Sequence, residues 1–205
     1  MKVPLVRIFV VDDDATLLYT MSSILRTAGY TVEAFEQPQA LLARLSTHDR
    51  GALVLDLKMP GYSGLELQSA LLERGISMPM IFISGRADIS SAVAAMKKGA
   101  IDFLAKPVNP EELLAVVARA LQQDAVIAEE RSAAELARDR WASLSPREQE
   151  VCRGSSQGLL NKQIAAQLGT SESTVQAQRA RAWKKLGVDC SLELVRIVAW
   201  VNQAR

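Results

Sequence analysis

The chain has 205 residues, 49% of them hydrophobic and 23% charged, with a formal net charge of +1, which excludes a disordered chain and leaves room for one large domain or two modest ones. No apolar run reaches the length of a membrane span. The apolar stretch at residues 5–11 stops at Asp12, Asp13 and Asp14 without a small-residue cleavage site, which argues against a secretory signal. The two cysteines, Cys152 and Cys190, are far apart and lack companion ligands, so reduced thiols are expected and cytoplasmic residence is the default.

Through the first 120 or so residues, short apolar runs alternate with segments of helical period, the pattern of a parallel sheet flanked by helices. Strands are predicted at 7–11, 31–35, 53–55, 80–83 and 103–105, with helices near 15–28, 37–45, 64–74, 88–98 and 109–121. The last of these helices has Asn109 as its cap, Pro110 in its first turn, and Glu111 and Glu112 at the positive end of its dipole. Its apolar stripe is Leu113, Val116, Val117, Ala120 and Leu121, after which helix-favouring composition continues past Leu136. Three segments are therefore expected: an α/β domain over 1–121, a semi-rigid helical linker over 122–143 that can break near Asp124, and a helical domain over 144–205.

A doubly wound sheet places its ligand site at the carboxyl ends of its strands, so the residues there carry the chemistry. Asp12 and Asp13 follow the first strand and Asp56 the third. Three converging carboxylates call for a hard divalent cation such as Mg2+. With that charge offset, Asp56 can act as the nucleophile of a phosphoryl transfer. Ser84 and Lys106 end the fourth and fifth strands, where a hydroxyl and an ammonium can bond phosphoryl oxygens. Taken singly each residue has a plainer reading, as a helix cap or a solvated charge, and Phe103 by periodicity is core. Their joint occurrence at four strand ends favours a built site.

In order along the chain, Val10-Val11-Asp12-Asp13-Asp14, Leu55-Asp56-Leu57-Lys58-Met59-Pro60-Gly61, Ile83-Ser84-Gly85 and Ala105-Lys106-Pro107 resemble the receiver domain of bacterial response regulators, with its flavodoxin-like five-stranded parallel sheet. The resemblance implies phosphorylation of Asp56. It also implies Mg2+ held by Asp13, Asp56 and the Lys58 carbonyl, with Asp12 contributing directly or through water. Ser84 would be the switch hydroxyl, Phe103 the switch aromatic, and the Lys106–Pro107 bond cis.

Residues 144–205 hold 9 basic against 5 acidic side chains, a local excess that the overall charge conceals and that suits nucleic acid. Ser145-Pro146-Arg147-Glu148 is a capping box with proline in the first turn, and Gly158, Gly169 and Gly187 mark helix ends. Helices at 161–168 and 173–186 are then joined by a short turn with Ser171 as the cap, which is helix-turn-helix spacing. On the second helix Val175, Ala182 and Leu186 share the apolar side, with Gln178 and Arg179 at its margins. Gln176, Ala177, Ala180, Arg181 and Lys184, with Thr174 at the start, can face a major groove, and Asn161 and Lys162 can contact phosphates.

The run from Leu144-Ser145-Pro146-Arg147-Glu148 to Ser171-Glu172-Ser173-Thr174-Val175 resembles the four-helix LuxR-type module, and the two halves together resemble the NarL/FixJ class of regulator, in particular its FixJ-like branch. Relatives commonly carry a basic residue in place of Gln176 and histidine in place of Gln178. The resemblance implies a non-enzymatic, sequence-specific transcription regulator, an activator in that branch, phosphorylated by a sensor histidine kinase and binding promoter DNA as a homodimer joined through residues 191–201. The alternatives are a docking switch whose C-terminal domain does not bind DNA, and a magnesium-dependent phosphohydrolase using Asp56.

Overall fold

The computed structural model describes residues 5–85 and 89–202, with the side chains of residues 89–91 outside that description. Five strands, β1 (Val6–Val11), β2 (Val32–Phe35), β3 (Arg50–Asp56), β4 (Met80–Ser84) and β5 (Asp102–Ala105), pair in parallel in the order β2-β1-β3-β4-β5. Between them run α1 (Ala15–Thr27), α2 (Pro38–Arg44), α3 (Gly64–Glu73) and α4 (Ile89–Lys97). All five predicted strands and the intervening helices are present. Residue 88, the first of the helix predicted at 88–98, lies outside the described residues.

Helices cover both faces of the sheet because the central strands are apolar on both sides. On one face Phe9, Val11, Leu53, Leu55 and Phe82 pack with Leu41, Leu67 and Leu71; on the other Ile8, Val10, Val54, Ile81 and Ile83 pack with Leu18, Met21, Leu25, Leu113, Val116 and Val117. Local signals fix where the helices begin. The Asp14 carboxylate accepts from the Thr16 and Leu17 N–H groups to start α1, and Ser63 and Glu66 form a reciprocal capping box on α3. The switch from strand to helix thus falls directly after the residues at the carboxyl edge of the sheet.

Helix α5 runs unbroken over Pro110–Ala142, and the chain divides into two compact units after Ala128, inside this helix. The stretch 122–143, expected as a linker, is therefore shared out. Asp124 is buried in the first unit, whereas Ala134, Ala137 and Trp141 are buried in the second. The helix does not break near Asp124, where a break was open to it; Asp124 there pairs with Arg50, a contact invisible in a local reading because its partners are 74 residues apart.

The second unit contains α6 (Pro146–Ser156), α7 (Asn161–Leu168), α8 (Glu172–Leu186) and α9 (Ser191–Asn202). Ser145 and Glu148 form the capping box of α6, and Ser171 caps α8 as expected, the helix beginning at Glu172, one residue before the predicted start. Gly169 and Gly187 adopt the left-handed conformation that closes α7 and α8. One cluster joins Trp141, Leu144 and Cys152 to Ala182, Leu186, Leu194 and Ile197; a smaller one joins Val151 and Ile164 to Val175. Among the described residues, no helix is long and apolar enough to cross a membrane.

Candidate functional site

Asp12 directly follows β1 and Asp56 ends β3, both buried, while Asp13 is exposed at the mouth between them. One carboxylate oxygen from each of the three lies within 4.8 Å of the others. Octahedral coordination at about 2.1 Å puts opposite ligands roughly 4.2 Å and adjacent ones roughly 3.0 Å apart, so a small hard cation would draw these oxygens closer together. The oxygen donor set is the kind such an ion prefers, and the exposure of Asp13 leaves the remaining positions open to water.

Lys106, directly after β5, sends its ammonium across the sheet edge to both buried carboxylates, 2.9 Å from Asp12 Oδ2 and 3.0 Å from Asp56 Oδ2. Its backbone N–H bonds the Ser84 carbonyl at 2.7 Å, and the following peptide bond to Pro107 is cis. Burial pushes the Asp12 carboxyl above the ordinary range and the Asp56 charge adds to this, while the Lys106 ammonium and the Asp14 N–H pull against it. Burial alone would lower the Lys106 ammonium, but its bonds to Asp12 and Asp56 outweigh that and raise it. The pocket thus concentrates negative charge around one cation supplied by the chain.

Ser84 ends β4, buried, and its hydroxyl reaches the Gly85 carbonyl at 3.4 Å, a long and weak contact. Phe103 is half-buried in β5 and packs on the core cluster that includes Ala95 of α4. Lys58 is exposed, two residues beyond Asp56. Asp12, Asp13, Asp56 and Lys106 are thus gathered at one edge, with Ser84 on the adjoining strand end.

In the second unit α7 and α8 form the predicted helix-turn-helix. Lys162, Gln176, Ala177, Ala180, Arg181 and Lys184 are exposed, while Val175, Ala182 and Leu186 are buried as the periodicity requires. Asn161 and Thr174 are only half-exposed and partly committed. Asn161 Oδ1 accepts from Arg179 at 3.4 Å, and the Thr174 hydroxyl lies 2.7 Å from Ser171 Oγ. Two relationships escaped the sequence reading. Arg179 lies over the Trp183 ring, 4.6 Å from its centroid, and Lys185 bonds the buried Glu148 at 2.7 Å, tying the end of α8 to the start of α6. The capping box pointed to Glu148, but nothing local pointed to Lys185 as its partner.

Residues 8–118 match the family described as response regulator receiver domain, and residues 142–198 match the bacterial regulatory proteins of the luxR family. The response regulator protein TmoT of Ectopseudomonas mendocina is 41% identical over 190 residues, spanning 93% of this chain and 86% of its own. The transcriptional regulatory protein FixJ of Bradyrhizobium diazoefficiens is 37% identical over 190 residues, 93% of each chain. Among solved structures, the response regulator StyR superposes with a TM-score of 0.74 at 39% identity over 94% of this chain and 98% of that one. Full-length FixJ from B. japonicum gives 0.58 at 35% identity over 98% and 99%. The chain belongs to the response regulators, as a phosphorylation-controlled transcription regulator with a receiver domain followed by a luxR-family domain.

Proposed function

We propose that Asp56 is the phosphoacceptor and that its phosphorylation by a sensor histidine kinase raises the affinity of the second unit for promoter DNA. The observation that carries this reading is the Lys106 ammonium held between Asp12 and Asp56 at the sheet edge. An Asp56 carboxylate oxygen attacks the phosphorus of a phosphohistidine; the P–N bond breaks, its electron pair returns to the imidazole, and an acyl phosphate remains on Asp56. Lys106 follows the phosphoryl oxygens, and the Ser84 hydroxyl turns to donate to one of them. Asp12, Asp13, Asp56 and the Lys58 carbonyl would hold Mg2+, which when bound would offset the charge of the transferred group.

Reorientation of Ser84, together with Phe103 and α4, favours one arrangement of that face, which pairs with a second copy. Residues 191–201 of α9 form the second contact between copies on DNA. Gln176, Ala177, Ala180, Arg181 and Lys184 meet the major groove, with Asn161, Lys162 and Thr174 nearer the backbone. Activation of transcription, cytoplasmic residence and the absence of catalytic turnover complete the proposal. The functional limits that go with it are 1–121 and 144–205, with 122–143 as the coupling element whose first part packs in one compact unit and whose second part packs in the other. The test is duplex selection from a random pool by the parent and by Asp56→Asn, with and without acetyl phosphate. A gain in affinity confined to the phosphorylated parent is expected; an equal gain in Asp56→Asn overturns the reading.

A further inference from the structure

The apolar stripe of α5 ends before the first unit does. Leu113, Val116, Val117 and Ala120 are buried against the sheet, and the next inward position at helical spacing is occupied by Asp124. Of residues 122–128, all of them described, only Asp124 is buried, at 4% exposure; Val126 is exposed, and Ile127 and Ala128 are half-buried. Apolar burial alone would release the helix near Leu121, yet the compact unit continues to Ala128.

Arg50 holds this extension. Its Nε and Nη2 both lie 2.8 Å from Asp124 Oδ2, and Nη2 also reaches the Asp124 carbonyl at 3.4 Å. A carboxylate this deeply placed is tolerated only with a partner of such geometry. Arg50 is itself fixed, because it opens β3 in register with Val6 of β1. The next residue, Gly51, has φ of +140°, and a Cβ there would stand 1.7 Å from the Arg7 carbonyl oxygen, so only glycine lets the strand start in this position. The strand that ends in Asp56 therefore begins with the anchor of the helix leading out of the unit.

We propose that Arg50 and Asp124 are positioning residues for the response to phosphorylation: their ion pair makes the first two turns of α5 beyond Leu121 part of the receiver body. Rearrangement or pairing of the receiver is then imposed on the helix that continues into the DNA-binding unit. An ion pair suits this role better than another leucine. It is directional, and it is closed or open, whereas an apolar contact slides. With the pair open, residues 122–128 keep only the half-buried Ile127 and Ala128, and the helix frays or pivots at Leu121. This inference rests on phosphorylation of Asp56 and adds the means by which it is felt beyond the receiver.

The test uses the full-length protein with Asp124→Ala, Asp124→Leu and the charge swap Arg50→Asp with Asp124→Arg. Asp124→Leu keeps a buried, helix-compatible side chain and so folds even where the alanine variant is too unstable. Three quantities are measured: amide exchange across residues 122–128, phosphate incorporation from acetyl phosphate, and the ratio of duplex affinities with and without phosphorylation on a duplex selected by the parent. In Asp124→Ala, exchange at 122–128 is expected to quicken by about tenfold or more. In both Asp124 variants phosphate incorporation stays at the parent level, the affinity ratio falls toward one, and the charge swap recovers part of it. Unchanged exchange in Asp124→Ala, or a parent-like affinity ratio in Asp124→Leu, overturns the latch while leaving phosphorylation control intact. A parent that itself shows no affinity gain on phosphorylation overturns the reading beneath it.

Discussion

The Lys106 ammonium stands 3.0 Å from the Asp56 carboxylate, bridging the tips of two strands that are not neighbours in the sheet. Because the same ammonium bonds Asp12, removing it leaves two buried like charges facing each other. Lys106→Ala is therefore expected to destabilise the first unit by about 1–3 kcal/mol, less than a fully buried pair would lose because Lys106 is partly solvated. Urea unfolding followed by far-ultraviolet circular dichroism reads this. Adding Asp12→Asn to Lys106→Ala should return part of the loss by removing the repulsion, and a double variant less stable than the single one contradicts this account.

Asp13 is the exposed member of the carboxylate trio, so a cation approaching from solvent would meet it first. Mg2+ at about 10 mM should raise the melting temperature of the first unit, since a ligand bound only by the folded state stabilises it by mass action. Asp13→Asn should abolish most of that rise while barely moving the melting temperature without metal. The same rise in parent and variant would place the cation elsewhere.

The sheet and the acidic edge were legible because each strand is a short apolar run and each functional residue lies at its carboxyl end, where local order in the chain maps directly onto position in the fold. Asp12, Asp13, Asp56, Ser84 and Lys106 could be placed for that reason. The helix-turn-helix was legible through Ser171, Gly169 and the spacing of Val175, Ala182 and Leu186. Long-range pairs were not. Arg50–Asp124 and Glu148–Lys185 join residues 74 and 37 positions apart, and neither periodicity nor capping carries information about such partners. The Arg50–Asp124 pair therefore stands where a local reading left a helix break open.

The two thiols should differ sharply in reactivity. Cys152 is fully buried, and burial, with the Glu148 charge adding to it, pushes its thiol up to about 11, whereas Cys190 is exposed just before α9. A thiolate is the reacting species, so at neutral pH Ellman's reagent should label one thiol per folded chain quickly and the second only on unfolding. Cys190→Ser should remove the fast phase. Loss of the slow phase instead would contradict the assignment.

Lys184 and Lys185 are adjacent and exposed on α8 but differently engaged, because the Lys185 ammonium is bonded to Glu148. If the exposed side chains of α8 face DNA, Lys184→Gln should lower the slope of log affinity against log salt by about 0.9. Lys185→Gln should leave that slope nearly unchanged while weakening the fold. Equal slopes in both variants and the parent would remove Lys184 from the DNA-facing surface.

The Glu148–Lys185 pair also sets a pH dependence whose sign can be worked out. The hydrogen bond from Lys185 and that from the Ser145 N–H hold the Glu148 carboxyl below the ordinary glutamate range, outweighing its burial. A carboxyl depressed in the folded state gives stability that is fully present above its unfolded value, about 4.3, and that is lost as pH falls through the lower, folded value. The second unit should accordingly hold its stability near neutral pH and lose this contribution below about pH 4.5. Glu148→Gln keeps an acceptor for the Ser145 N–H but no charge for Lys185. It should cost about 1 kcal/mol at pH 7, and the gap to the parent should close as the acid range is entered. All three tryptophans, Trp141, Trp183 and Trp200, lie in the second unit and all three tyrosines in the first, so selectively excited tryptophan emission during urea unfolding of the full chain reports on the second unit. A gap that stays constant from pH 7 to about pH 3 would mean that Glu148 acts through packing and capping rather than through its charge.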